Sequence, residues 1–182
     1  MINLVDNISA YFDDDFINII YKDLKINGAS DEEIEKLLKD KHRDLPMMEI
    51  NIFQLNNYKL GSIGFTSREL ENLKIDFVEE KLLSNDYNGN NPTNKIVYLK
   101  VLFDKESKKI LGCQIANEKN IEARLNAIKT IMEKGGDLKD LVKYKVNPTD
   151  DEWNPDILNI LALSAISKSE ENSTNVEANN IE

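Results

Sequence analysis

The spacing of apolar positions changes twice along the chain. Phe12, Phe16, Ile19, Ile20 and Leu24 recur at helical spacing and would share one face. Asn27-Gly28 interrupts the pattern. Ser30 with Glu33 then forms a capping-box signal for a second helix bearing Ile34, Leu37 and Leu38, closed by Pro46. From residue 49 the period shortens. INIFQL, KLGSIGF and IDFVEEKLL read as strands, with Gly61 and Gly64 permitting a tight turn or bulge. Thr66 with Glu69 caps a short helix carrying Leu70 and Leu73. After the turn-rich YNGNNPTN, NKIVYLKVLFD and KKILGCQIAN flank a polar KESK link, which is a hairpin signal.

Helical spacing then returns. Ile121, Leu125, Ile128 and Met132 mark one face of a helix that Gly135-Gly136 should end. DLKDLVKY is a helical turn, and PDILNILALSAISK a last helix apolar on most of its circumference, with Asn154 as N-cap and Pro155 at its first position. Strands followed by helices, with a hairpin in the middle, predict an α+β domain: an antiparallel sheet with helices on one face, preceded by a helical pair. The expected boundaries are a helical segment at 1–48, the α+β domain at 49–168, and a polar, acidic, disordered tail at 169–182. Two short helices bury too little apolar surface to stand alone, so the N-terminal pair should dock on the domain or on another subunit.

Charge sharpens this division. The formal net charge is −10 over 182 residues. Residues 1–48 carry −5 and residues 169–182 carry −4, leaving the middle near neutral at −1. An acidic chain argues against nucleic acid as a partner, since phosphate binding needs a basic surface. No apolar run reaches the roughly 20 residues needed to span a bilayer, and the first 15 residues lack the pattern of a signal peptide. With Cys113 alone no intrachain disulfide forms, and the expected compartment is the cytoplasm. Cys113 lies mid-strand and reads as a packed thiol. The single histidine, His42, reads as solvated, and Asp13-Asp14-Asp15 as a solvated helix start without the spacing of a calcium loop.

Three strings, in order, carry a resemblance: LGSIGFTSREL, IVYLKVLFDKESKKILGCQI and DLKDLVKYKVNPTDDEW. From about residue 49 to 167 the chain resembles the C-terminal dimerisation domain of the pyridine nucleotide-disulfide oxidoreductases, which include glutathione reductase, lipoamide dehydrogenase, NADH oxidase and coenzyme A-disulfide reductase. The resemblance implies a homodimer. It also implies FAD and NAD(P) chemistry on two preceding dinucleotide-binding domains. This chain has no GxGxxG turn for pyrophosphate and no redox cysteine pair, so those cofactors are expected only through a partner chain.

In the disulfide-reducing branch the last string's loop reads His-Pro-Thr-x-x-Glu, with the His as acid/base and the Glu orienting it. Pro148, Thr149 and Glu152 match, while Asn147 stands at the His position. Asn cannot take up a proton near neutral pH. The oxidase branch has a Tyr two positions before the Pro; Val146 stands there, and Tyr144 lies two residues further back. Asn147 and Glu152 are therefore degenerate positions, and the chain is not expected to be an enzyme on its own. Thr149 and Glu152 also form a capping pattern. Trp153 should anchor the loop, and Trp153, Ile157, Ile160, Leu161 and Ser164 are the interface candidates of a homodimer. The alternative is a subunit or regulator of a split reductase or oxidase, acting with a separate flavoprotein chain. The N-terminal helices would swap onto the other subunit or cover the face where cofactor domains would otherwise sit.

Overall fold

A computed structural model describes residues 11–17, 30, 48–55, 57–85, 96–118, 121–144 and 155–178. Its elements run β1 (Asn51–Leu55), β2 (Tyr58–Gly64), α1 (Ser67–Asn72), β3 (Phe77–Asn85), β4 (Ile96–Asp104), β5 (Ile110–Asn117), α2 (Ile121–Glu133), α3 (Leu138–Lys143) and α4 (Ile157–Ala178). The five strands form one antiparallel sheet in the order β1-β2-β5-β4-β3. This is the expected α+β sheet, with α2, α3 and α4 packed on one face.

That face holds the larger core. Ile63, Cys113, Ile115, Leu99 and Val101 pack beneath Ile121, Leu125 and Ile128 of α2 and Leu158 and Leu161 of α4. The other face carries a second cluster, in which Phe12 and Phe16 cover Tyr58, Leu60, Tyr98 and Ala116. Residues 11–17 thus form a strap across the sheet. β4 is covered on both sides, which is why IVYLKVLF reads as a continuous apolar run and not as an alternation. Phe12 and Phe16 both lie against the sheet with their rings stacked, centroids 5.3 Å apart, but not on one helix face as their spacing predicts: the chain is helical at 14–17 and Phe12 precedes that turn. The second N-terminal helix expected around Ile34–Leu38, and His42, lie outside the described residues.

Local signals place the helix ends. Thr66 and Glu69 form the predicted capping box at α1, where Thr66 N donates to Glu69 Oε2 at 2.7 Å. Asp137 and Asp140 make a second at α3. α2 ends as predicted: Gly135 takes φ +64°, its N–H donates to Met132 O, and Gly136 N donates to Ile131 O.

Two expectations change. Gly61 makes no turn; it lies mid-strand in β2, where α2 packs so closely that a Cβ would stand 2.3 Å from Leu125 Cδ1. The bulge lies instead in the β4–β5 pairing, beside Leu102/Phe103. α4 begins at Ile157 and not at Pro155, because Asp156 supplies the cap. Leu158 N donates to Asp156 Oδ1 at 3.0 Å, and Asp156 N donates to Asn159 Oδ1 at 2.9 Å. The helix itself runs on through Ala178, past the boundary drawn at 168. No Gly or Pro follows Ile157 to stop the helix, and extending an anchored helix costs far less than nucleating one.

Candidate functional site

Strand register places one polar residue from each strand in a row on the strap side: Asn51, Ser62, Gln114, Lys100 and Lys81. Two positions along each strand lies an apolar row of Phe53, Leu60, Ala116, Tyr98 and Leu83. The strap matches both rows. Phe12 and Phe16 rest on the apolar row, while Asp13 and Asp15 reach the polar one.

Lys100 is the centre of this site, with 2% of its side chain exposed. Its Nζ lies 2.9 Å from Asp13 Oδ2, 3.0 Å from Asp15 Oδ1 and 3.1 Å from Glu79 Oε2. Lys81 pairs with both Asp15 and Glu79. Asp13 is the most fully bonded. Its N–H donates to Gln114 Oε1 at 3.1 Å and its Oδ2 accepts from Gln114 Nε2 at 2.7 Å. Its carboxylate also accepts from the backbone N–H and the hydroxyl of Ser67 at the start of α1. The aspartate run is therefore no solvated helix start: Asp13 is buried and Asp15 half-buried, and Asp14 alone of the three is exposed. A lysine inside an apolar strand was the available signal, since a buried ammonium needs carboxylates around it.

Burial works to lower the pKa of Lys100, but Asp13, with the bonds from Asp15 and Glu79, outweighs it and holds Lys100 above the usual lysine value. Burial works to raise Asp15 and Glu79, and the bonds from Lys81 and Lys100 outweigh it, holding both below the usual carboxylate range. Depressed carboxylates stabilise the fold above their unfolded values, and that stability is lost as pH falls through the folded ones. Raised lysines stabilise below about pH 10.4 and lose that contribution as pH rises further. Strap docking should thus be constant from about pH 5 to 9 and weaken below about pH 4. Amide exchange within residues 13–17 measured against pH checks this; protection unchanged at pH 3 would contradict it.

On the helical face, Arg124 of α2 pairs with Asp156, Nε and Nη2 reaching Oδ2 at 3.0 and 2.9 Å. Asn159 Nδ2 donates to the carbonyls of Leu141 and Tyr144, satisfying the free end of α3. Ser164 donates to Glu80 on β3. Of the interface candidates, Ile157 and Leu161 are buried by the chain's own core, and Ser164 is engaged with Glu80. Ile160 is 41% exposed, as is its neighbour one turn on, Leu163, at 43%. Through Ile166 the other large apolar side chains of α4 pack in the core, and Ile160 with Leu163 form its exposed apolar stripe among the described side chains. Asn147, Glu152 and Trp153 lie outside the described residues.

Cys113 is fully buried, and burial pushes its thiol far up, away from reactivity. A thiol reagent should label it only after denaturation; labelling of the native protein would contradict this packing. Among the described residues no group of three His, Cys, Asp or Glu is placed to hold a metal. No described helix is long and apolar enough to cross a membrane.

Residues 51–152 match the family described as the pyridine nucleotide-disulphide oxidoreductase dimerisation domain. The chain belongs to this family. Among curated relatives, coenzyme A disulfide reductase of Staphylococcus epidermidis is 27% identical over 116 residues, covering 63% of this chain and 26% of that protein. The dimerisation-domain chain thus spans about a quarter of the length of the curated relatives it matches. Solved structures share the fold. The NAD-dependent persulfide reductase of A. fulgidus superposes with TM-score 0.58 at 18% identity, over 68% of this chain and 23% of that one. The water-forming NADH oxidase of Lactobacillus brevis gives TM-score 0.60 at 17% identity, over 78% and 33%.

The family's enzymes use FAD and NAD(P), and the described turns do not fit a dinucleotide. Pyrophosphate needs a glycine-rich strand–helix turn with free N–H groups. Gly64 leads from β2 into α1, but the Asp13 carboxylate already takes the Ser67 N–H, and a Cβ at Gly64 would meet Leu111 O at 2.3 Å. The glycine serves backbone packing there.

Proposed function

We propose that this chain is a non-catalytic assembly module that forms a homodimer through the outer stripe of α4. The exposed Ile160 and Leu163, on a domain of a dimerisation family, carry this reading. Large apolar side chains at helical spacing favour burial against a second copy. Sedimentation should give a dimer at micromolar concentration. Ile160→Glu with Leu163→Glu should raise the dissociation constant about 100-fold or more while leaving the helical CD unchanged, because neither side chain is in the core. A monomeric native protein would overturn the reading.

A second reading rests on the fraction of the relatives that this chain spans. The module would then serve as subunit or regulator of a split disulfide reductase or NADH oxidase, with FAD and NAD(P) on a separate flavoprotein chain. Copurification of a flavin-containing chain supports it, and native material without flavin absorbance counts against it.

A further inference from the structure

β3 is an edge of the sheet, and among the described residues no strand pairs with its outer side. Such an edge is a template for another strand, and natural edges often carry charges that discourage pairing. The charges of β3 are ordered to permit it. Lys81 stands in the polar row, so Phe77, Glu79, Lys81 and Leu83 face the strap side, and Val78, Glu80 and Leu82 the helical side. A dyad normal to the sheet keeps each face continuous between two copies, so the axis passes through a residue and opposed residues share a face. Centred on Glu80, the strand is complementary to itself: Glu79 opposes Lys81, Phe77 opposes Leu83 and Val78 opposes Leu82. Centred on Glu79, Phe77 would oppose Lys81 and Val78 would oppose Glu80; centred on Lys81, Glu79 would oppose Leu83 and Glu80 would oppose Leu82. The like pair at the Glu80 centre is compensated within each copy, because its carboxylate accepts from Ser164 and Lys168 of α4. Leu83 is 60% exposed, the most exposed large apolar side chain among the described residues.

We propose that β3 pairs antiparallel with β3 of a second copy about Glu80, joining two five-stranded sheets into one. A second copy is the occupant that the order of charges fits, since each Glu79 meets a lysine and each Lys81 a glutamate in the register that also pairs the apolar positions. Glu79 and Lys81 already pair within the chain, so across the dyad the four side chains form one alternating set. Ile160 stands one helical turn before Ser164, which bonds Glu80, so the exposed stripe of α4 borders this edge and lies on the helical side of the joined sheet. The pairing rests on the homodimer reading and adds to it the strand that sets the register.

Sedimentation of the full chain tests the pairing by charge exchange. Glu79→Lys and Lys81→Glu each set like charges opposite one another in their own homodimer, and each should raise the dissociation constant about tenfold or more. Mixed in equal amounts, the two variants restore opposite charges at both positions and should associate with nearly wild-type strength. Weakening without rescue in the mixture assigns the loss to the ion cluster under the strap and overturns the pairing. If either variant does not fold, a crosslink decides. Glu80→Cys puts two thiols on the dyad, within the Cα separation that a disulfide accepts, and should crosslink on mild oxidation. Leu83→Cys, whose copies lie roughly 20 Å apart in this register, should not. Cys113 is buried and takes no part. A native dimer that neither charge variant weakens, or in which Glu80→Cys forms no crosslink, overturns pairing through β3 and leaves pairing through α4 standing. A native monomer overturns both.

Discussion

Lys100→Met is expected to release residues 11–17 from the sheet while the helical core stays folded. The substitution leaves Asp13 buried, with Asp15 and Glu79 beside it, and removes the ammonium on which all three converge. Breaking a buried pair from one side costs about 3–5 kcal/mol, because the remaining charge stays desolvated and unpaired. The chain has a cheaper escape than global unfolding: the strap can lift and hydrate Asp13. Loss should therefore be local. Hydrogen exchange reads it directly, since Asp13 N–H is held by Gln114 and Ile17 N–H by Asp13 O. Both amides should exchange roughly 100- to 1,000-fold faster, and amides of β4 and β5 much less. Adding Asp13→Asn and Asp15→Asn should restore part of the protection. Unchanged exchange at Asp13 and Ile17 in the single variant would show that the ion cluster does not hold the strap.

The second large effect comes from a methyl group. Gly112→Ala should destabilise the whole domain by about 3 kcal/mol or more, the upper range for overpacking a filled interior. A Cβ at residue 112 would lie 2.1 Å from Phe65 O and 3.0 Å from Phe65 N. These are backbone atoms, fixed because Phe65 N donates to Leu111 O at 3.0 Å, so no side chain can swing aside. Gly61→Ala is a useful contrast: its nearest neighbour is the end of Leu125, which can shift. Gly135→Ala meets only Lys109 Nζ at 3.9 Å and should cost only the left-handed backbone strain of about 1–2 kcal/mol. Thermal unfolding should place Gly112→Ala roughly 6 °C or more below the wild type. A shift smaller than that of Gly135→Ala would refute the close approach.

These two sites mark how far the sequence could be read. The strands, the Thr66–Glu69 box and the glycine end of α2 were legible because each depends on residues a few positions apart. The Asp137 box was as local as the Thr66 one and was available to the same reasoning. The start of α4 was misplaced because Asp156 caps the helix while bonding Arg124, which is distant in sequence. The interface stripe was legible only as an apolar circumference; which side the sheet takes depends on how α4 lies across it.

The sequence by itself determined the strands, the sheet-with-helices class and the family, because periodicity, caps and turn residues act over one or two turns of chain. Only the tertiary structure decided that Asp13 is a buried ligand of Lys100 and not a solvated charge. Their partnership joins residues far apart in sequence and arises when the strap crosses the polar row. Local composition marks an aspartate as exposed by default, and only a buried ammonium brought close by strand register reverses that.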